Sequence, residues 1–104
     1  MNYQGTTALI TGASVGLGEE FARQLRSQGA NLVLVARSVN KLTKLAATIK
    51  RQSKVQVTVL PADLSSEEEV SRLIGEVKSR GFKIDFLINN AGFGIFESFL
   101  DTPL

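Results

Sequence analysis

The sequence of 104 residues predicts an α/β fold in which helices cover both faces of a four-stranded parallel sheet. Short apolar runs rich in β-branched residues alternate with stretches whose apolar residues recur at helical spacing, which predicts the element order βαβαβαβ. The predicted strands are apolar on both faces, as is typical of parallel strands buried between helices. A chain of this length has room for one domain at most.

The first half of the chain predicts two strands and two helices. Residues 6–11 form a short apolar, β-branched run that predicts a buried strand. Residues 16–28 have apolar side chains at helical spacing and acidic side chains in the first turn, so they predict a helix that Gly29 ends. Residues 31–36 predict a second buried strand, and the segment from Ser38 to Gln52 predicts a second helix.

The second half predicts two more strands around a third helix. Residues 55–60 are the third apolar run. Ser65 is followed three positions later by Glu68, a pattern that predicts a capping box at the start of a helix, and Gly81 marks the end of that helix. Residues 86–89 predict the fourth strand.

The handedness of the connections predicts the order of the strands. Right-handed crossovers place the first two helices on one face when the chain winds outward from strand 1 to strand 3. The chain must then return past strand 1 to place strand 4, which gives the order 3-2-1-4 and puts the third helix on the opposite face. Ligands bind at the carboxyl ends of the strands where such an order reverses. The loops at residues 12–18 and 89–94 follow the two strands at that point.

Three glycines in a G-x-x-x-G-x-G spacing lie between the first strand and the first helix. Gly12 can adopt a turn conformation that a Cβ would strain. Gly16 can let backbone N–H groups approach a pyrophosphate at the helix amino terminus, and Gly18 can let the helix pack closely on the sheet. A strand-to-helix turn without a ligand is the alternative. No Gly-Lys-Ser/Thr follows, so the loop is not a P-loop.

Three segments together resemble the motifs of the short-chain dehydrogenase/reductase family. Residues 11–18 read Thr-Gly-x-x-x-Gly-x-Gly, residues 63–64 read Asp-Leu, and residues 89–92 read Asn-Asn-Ala-Gly. Each follows a predicted strand in the family's order, and together they span nearly the whole chain. The resemblance implies a Rossmann-type sheet, with residues 1–104 as the amino-terminal part of a single NADP(H)-binding domain.

The resemblance also implies roles for individual residues. The backbone of residues 14–18 would hold the pyrophosphate and the adenosine ribose. The Asp63 carboxylate would accept a hydrogen bond from the adenine amino group, Leu64 would pack beside the ring, and residues 90–92 would line the nicotinamide-side ribose. The alternative for Asp63 is a structural role at the entry to the third helix. The predicted cofactor-binding residues are Gly12, Ser14, Val15, Gly16, Leu17, Gly18, Arg37, Asp63, Leu64, Asn90, Ala91 and Gly92.

The end of the second strand favours NADP over NAD as the cofactor. An acidic residue there would bind the ribose 2′-hydroxyl of NAD, but this position is Ala36, followed by Arg37. A guanidinium can bind two oxygens of a 2′-phosphate, and Ser14 could add a hydroxyl. Val15 argues the other way, because many NADP-preferring relatives carry a basic residue there. The alternative for Arg37 is a solvated charge at a helix entry.

The family's catalytic pattern is absent from these residues. The family transfers hydride between the cofactor and an alcohol or carbonyl compound, using Ser, Asn and a Tyr-x-x-x-Lys pair. The single tyrosine is Tyr3, and Thr7 stands four places on. Residues 101–103 look like the start of a helix that the chain does not complete. We therefore expect part of a larger oxidoreductase, inactive alone. The alternative is a stand-alone, non-enzymatic dinucleotide-binding module, and residues 89–92 disfavour a methyltransferase.

Composition narrows the remaining possibilities. The net charge of +2 and the scattered Lys and Arg do not indicate nucleic-acid binding. No apolar run is long enough to span a bilayer, and the first residues do not resemble a secretion signal, so we expect a cytoplasmic protein. There is no Cys or His, which excludes disulfides and thiolate or imidazole metal ligands within this sequence. The expected partners are a small carbonyl or alcohol substrate and, at full length, further copies of the protein.

The fourth strand predicts poor behaviour of the 104 residues in isolation. Residues 86–89 lie at the edge of the predicted sheet yet are apolar, without the Lys, Pro or bulge that usually protects an edge. We expect strands 1 and 4 to lose cover on the face of the third helix. Self-association should follow.

Overall fold

A computed structural model describes residues 3–12, 16–52 and 55–89 of the chain. The strands are β1 (Thr7–Thr11), β2 (Asn31–Ala36), β3 (Val57–Pro61) and β4 (Phe86–Asn89). The helices are α1 (Gly16–Ser27), α2 (Val39–Gln52) and α3 (Glu67–Ser79). The predicted order βαβαβαβ is confirmed.

The four strands form one parallel sheet in the order β3-β2-β1-β4, as predicted. In the register, Thr11 at the end of β1 is paired with Val35 of β2 and with Asn89 of β4. Ala36 at the end of β2 is paired with Pro61 of β3. The carboxyl ends of all four strands therefore lie along one edge of the sheet.

Two hydrophobic clusters fill the spaces on either side of the sheet. The first joins β1, β2 and β3 to α1 and α2, and its buried residues are Ala8, Ile10, Ala22, Leu32, Leu34, Ala36, Leu42, Leu45, Ala46, Ile49 and Val57. The second joins the opposite face to α3, and its buried residues are Leu9, Val33, Val35, Leu60, Ala62, Leu64, Val70, Leu73 and Val77. The first two helices thus share one face and α3 covers the other, which confirms the prediction from handedness.

The expected loss of cover on strand 1 is wrong. Leu9, which faces α3 from β1, is only 1% exposed. Phe82 and Ile84, from the segment between α3 and β4, pack against the same cluster and supply cover that the sequence pattern did not reveal. The expectation holds for β4, where Leu87 is half-buried.

Contacts at the amino ends of the strands attach β4 to the rest of the sheet. The Thr7 N–H donates to the Asp85 carboxylate at 2.9 Å, and the Asp85 N–H donates to the Thr7 carbonyl at 2.9 Å. The rings of Tyr3 and Phe86 meet edge to face with their centroids 5.1 Å apart. These contacts lie at the end of the sheet away from the glycine loop.

Both predicted glycine stops are confirmed, and both have the same geometry. Gly29 has a φ of 92°, its N–H donates to the Arg26 carbonyl, and the Ala30 N–H donates to the Leu25 carbonyl. Gly81 has a φ of 75°, and the N–H of the next residue, Phe82, makes the hydrogen bond equivalent to that of Ala30. Each is a Schellman motif, in which a residue with positive φ satisfies the last carbonyls of a helix.

The cap of α3 lies one residue later than predicted. The N-cap is Ser66, whose hydroxyl accepts a hydrogen bond from the Glu69 N–H at 3.3 Å. The predicted cap, Ser65, instead donates both its N–H and its hydroxyl to the Asp63 carboxylate. The Ser65 and Glu68 box is therefore wrong, because Asp63 competes for Ser65 and leaves the next serine to begin the helix.

The third strand begins two residues later than predicted. The Gln56 N–H donates to the Asn31 side chain at 2.9 Å. At the predicted start of the strand this N–H therefore bonds to a side chain instead of to the backbone of β2. Regular pairing of β3 with β2 starts at Val57 and extends through Pro61.

Candidate functional site

Gly12, at the start of the glycine loop, has the turn conformation that the sequence predicts, and Gly16 shares it. Gly12 has a φ of 65° and Gly16, the first residue of α1, has a φ of 55°. Both values are in the left-handed region that favours glycine. Among the described residues, no heavy atom outside the adjoining backbone lies within 4 Å of the position that a Cβ on Gly16 would take, so these residues leave the space beside the start of α1 open. Gly18 is buried, as expected of a helix that packs closely on the sheet.

Open space at the start of α1 fits an anionic group. The first N–H groups of a helix have no partner within the helix, and the helix dipole favours negative charge there. A side chain at Gly16 would fill part of this space. The predicted pyrophosphate position is thus compatible with the geometry. Ser14 and Val15 lie outside the described residues, as does the side chain of Leu17.

Thr11 connects the two strands at which the strand order reverses. It is fully buried, and its hydroxyl donates to the Ile88 carbonyl of β4 at 3.4 Å. The side chain of Asn89 lies outside the described residues, as do the predicted ribose contacts Asn90, Ala91 and Gly92.

Arg37 follows β2 at the same edge of the sheet. Its side chain is exposed, whereas Ala36 before it is buried. The next residue, Ser38, begins α2: its hydroxyl accepts a hydrogen bond from the Lys41 N–H at 3.4 Å, and its carbonyl accepts one from the Leu42 N–H at 3.1 Å. The residue directly before the start of α2 is therefore an exposed cation rather than a carboxylate.

The charge at the start of α2 is unusual for a helix. Its first turn contains no acidic side chain and includes exposed Lys41. The other two helices have acidic first turns, with Glu19 in α1 and residues 67–69 in α3. A cation at a helix amino terminus is unfavourable to the helix itself, by about 0.3–1 kcal/mol. Departures from the preference for acidic side chains in the first turn of a helix are expected at ligand-binding sites. A cation at this position favours an anionic ligand.

Asp63 lies after β3, next to Arg37 along the edge. Its Oδ1 accepts hydrogen bonds from the Ser65 hydroxyl at 2.6 Å and from the Ser65 N–H at 3.0 Å. These two bonds lower the pKa of Asp63 below its ordinary value; burial opposes the shift, and the charge of Arg37 adds to it. The effect of Arg37 shows that the ends of β2 and β3 are close enough for their side chains to interact.

Leu64 is chiefly a core residue. It is only 8% exposed and belongs to the cluster beneath α3. Packing against α3 thus accounts for most of its surface, and only a small part of the side chain is open to a ligand. The predicted contact with an adenine ring stays a prediction.

The edge as a whole is suited to binding a ligand with separated anionic and polar groups. It brings together the open start of α1, the exposed cation Arg37 and the carboxylate of Asp63. Three or more Asp or Glu side chains arranged as metal ligands are not found in the part of the chain that the structure describes. Nor does any helix in these ranges have the length and apolar character needed to cross a membrane.

Comparison with known proteins gives consistent relatives. A family model described as short chain dehydrogenase matches residues 6–104. A very-long-chain 3-oxoacyl-CoA reductase of Kluyveromyces lactis is 43% identical over 90 residues, which are 86% of this chain and 26% of that protein.

Two solved structures are similar in fold as well as in sequence. An L-sorbose reductase of Gluconobacter frateurii, complexed with NADPH and L-sorbose, is 36% identical with a TM-score of 0.81; the match covers 89% of this chain and 35% of that one. A short-chain dehydrogenase of Sphingobium yanoikuyae, in complex with NADPH, is 40% identical with a TM-score of 0.76, over 85% of this chain and 34% of that one. The chain thus spans about a third or less of the length of these relatives.

Proposed function

The chain belongs to the short chain dehydrogenase family, and on that premise we propose that it binds NADP(H) for an oxidoreductase that interconverts an alcohol and a carbonyl compound. The observation that carries the proposal is the arrangement of one edge of the sheet. There the left-handed glycines of the first loop, the exposed Arg37 and the ionised Asp63 follow three adjacent strands.

The described residues would hold the two ends of the adenosine half of the cofactor. The amides at the start of α1 would bind the pyrophosphate, and Asp63 would accept a hydrogen bond from the adenine amino group. A bound nicotinamide would supply or accept hydride at the reacting carbon. The substrate, a small carbonyl compound or alcohol, is part of the proposal, as is the cytoplasmic location.

Preference for NADP over NAD is supported by the charge at the start of α2. An acidic residue at the end of β2 would repel a 2′-phosphate, whereas the chain has Ala36 there, followed by Arg37. Lys41 and the absence of acidic side chains from the first turn of α2 add to the attraction. The two structures described above contain NADPH.

A non-enzymatic binding module is not favoured. The relatives that match most of this chain are named for reductase or dehydrogenase activities. A family of enzymes is therefore the better premise.

The replacement Arg37→Ala tests the proposal, in the protein at its naturally expressed length. Losing a hydrogen bond to a charged phosphate costs about 1.5–3 kcal/mol, so NADPH affinity should fall roughly tenfold to a hundredfold. NADH affinity should hardly change, because NADH has no 2′-phosphate. Arg37 is exposed, so its loss should change stability by less than about 0.5 kcal/mol.

The replacement Lys44→Ala provides the matched control. Lys44 is another exposed cation of α2, two positions beyond the first turn. Its loss should leave the ratio of the two affinities unchanged. Equal losses of NADPH and NADH affinity on Arg37→Ala would contradict the assignment of NADP.

A further inference from the structure

Ser65 uses one oxygen of the Asp63 carboxylate completely. Its hydroxyl and its N–H both donate to Oδ1, at 2.6 Å and 3.0 Å. The shorter distance is typical of a hydroxyl bound to an ionised carboxylate. Among the described residues, the second oxygen, Oδ2, accepts no hydrogen bond and takes part in no ion pair. The carboxylate is thus fixed at one oxygen and available at the other.

The backbone of the same turn is held from the other side by α3. The Asp63 N–H donates to Glu69 Oε1 at 2.9 Å. Arg72 lies 3.6 Å from the same Glu69 oxygen and donates to the Pro61 carbonyl at 3.0 Å, at the end of β3. The Asp63 carbonyl accepts a hydrogen bond from the Ser66 N–H at 3.1 Å. The turn therefore cannot rotate Asp63 without breaking contacts to α3.

We propose that Ser65 is a positioning residue that makes the site selective for adenine, because it occupies Oδ1 of Asp63 and leaves Oδ2 to accept a hydrogen bond from the exocyclic amino group. The inference rests on the proposed function of the edge. An ionised carboxylate only accepts hydrogen bonds, so it binds the amino group of adenine and rejects the carbonyl oxygen that hypoxanthine has in its place. Without Ser65 the carboxylate can turn, and the distinction between the two bases weakens.

The test compares binding of NADPH with binding of its deamino analogue, which contains hypoxanthine in place of adenine. The parent protein, at its naturally expressed length, should bind NADPH about tenfold or more tightly than the analogue, the factor expected for one hydrogen bond to a charged group. In Ser65→Ala this preference should fall by about threefold or more. Ser65→Thr keeps the hydroxyl and should retain the preference. Ser65→Val has the shape of threonine without the hydroxyl and should lose the preference.

The neighbouring serine provides the control. Ser66→Ala removes the cap of α3 but none of the bonds to the Asp63 carboxylate, so it should lower stability and leave the preference for adenine unchanged. Two results would overturn the inference while leaving the proposed function intact. One is a preference for adenine that is equal in the parent, Ser65→Ala and Ser65→Val. The other is a preference that falls as much in Ser66→Ala as in Ser65→Ala. A parent that does not bind NADPH would overturn both.

Discussion

Substituting alanine for glycine at two open positions separates backbone conformation from packing. Gly16 begins α1 with a φ of 55°, whereas Gly75 lies within α3. At both positions an added Cβ would meet no heavy atom within 4 Å in the described part of the chain, apart from the adjoining backbone. Left-handed backbone costs a residue with a Cβ about 1–2 kcal/mol, so Gly16→Ala should destabilise the fold by that amount. Gly75→Ala should stabilise it by about 0.5–1 kcal/mol, because glycine is unfavourable inside a helix.

A third glycine adds steric crowding to the same conformational cost. Gly29 has a φ of 92°, and an added Cβ would lie 2.7 Å from Cγ of Gln4. The side chain of Gln4 would have to move, so Gly29→Ala should be more destabilising than Gly16→Ala. The expected order of stability is Gly75→Ala, the parent, Gly16→Ala and then Gly29→Ala.

Urea unfolding of the parent and the three variants measures this order, with an unchanged m-value as the check that only stability has altered. Binding of NADPH gives an independent comparison. Gly75→Ala should bind as the parent does, whereas Gly16→Ala should bind more weakly, because its Cβ enters the space beside the start of α1. If Gly16→Ala were as stable as Gly75→Ala, the left-handed conformation of Gly16 would be wrong.

Three further predictions concern charge, association and turnover. Carbon-13 NMR should show Asp63 titrating below its ordinary pKa of 3.8, and Ser65→Ala should raise that pKa. Because the pKa is lowered in the folded protein, ionised Asp63 stabilises the fold above pH 3.8 and loses this effect as the pH falls through the folded value. A pKa at or above 3.8 in the parent would refute the geometry. The isolated 104 residues should sediment as dimers or larger species, because the half-buried apolar side chains of β4 lie at the edge of the described sheet. Leu87→Lys should shift these species toward monomer, and a monodisperse monomer of the parent would be the contrary result. The same 104 residues should not oxidise NADPH with ketones or aldehydes, since Tyr3 has no lysine four places on, and oxidation above a protein-free control would disprove this.

Most of the fold could be predicted because it depends on patterns that are local in the sequence. The apolar runs determine the strands, and a short right-handed connection allows few orders for them. Gly29 and Gly81 each follow a helical pattern directly, so their role as stops depends on neighbours only a few residues away. The left-handed conformation at Gly12 was predictable for the same reason.

The errors occur where two groups compete for one partner or where distant segments meet. Two adjacent serines could each cap α3, and the choice between them depends on the bonds from Ser65 to the Asp63 carboxylate. The cover over Leu9 comes from Phe82 and Ile84, more than seventy residues away in the sequence. No local pattern contains that information.

The candidate site was predicted through its motifs, but its supporting residues were missed. Glu69 accepts a hydrogen bond from the Asp63 N–H. Ser66 and Glu69 have the spacing of a capping box, but in that pattern the glutamate would bind the N–H of the cap residue rather than that of Asp63. Lys41 could have been identified from the sequence as a candidate site residue, because a cation in the first turn of a helix opposes the helix dipole.

Mapping NADPH onto the backbone amides by nitrogen-15 NMR tests most directly whether the dinucleotide lies across the carboxyl ends of β1, β2 and β3. Glycine amides provide reporters at both edges of the sheet: Gly12, Gly16 and Gly18 at the carboxyl edge, and Gly29 and Gly81 at the amino edge. Saturating NADPH should shift the first three signals strongly and the last two hardly at all. Shifts at Gly29 and Gly81 without shifts at the loop glycines, or no shifts at any of the five, would contradict the account.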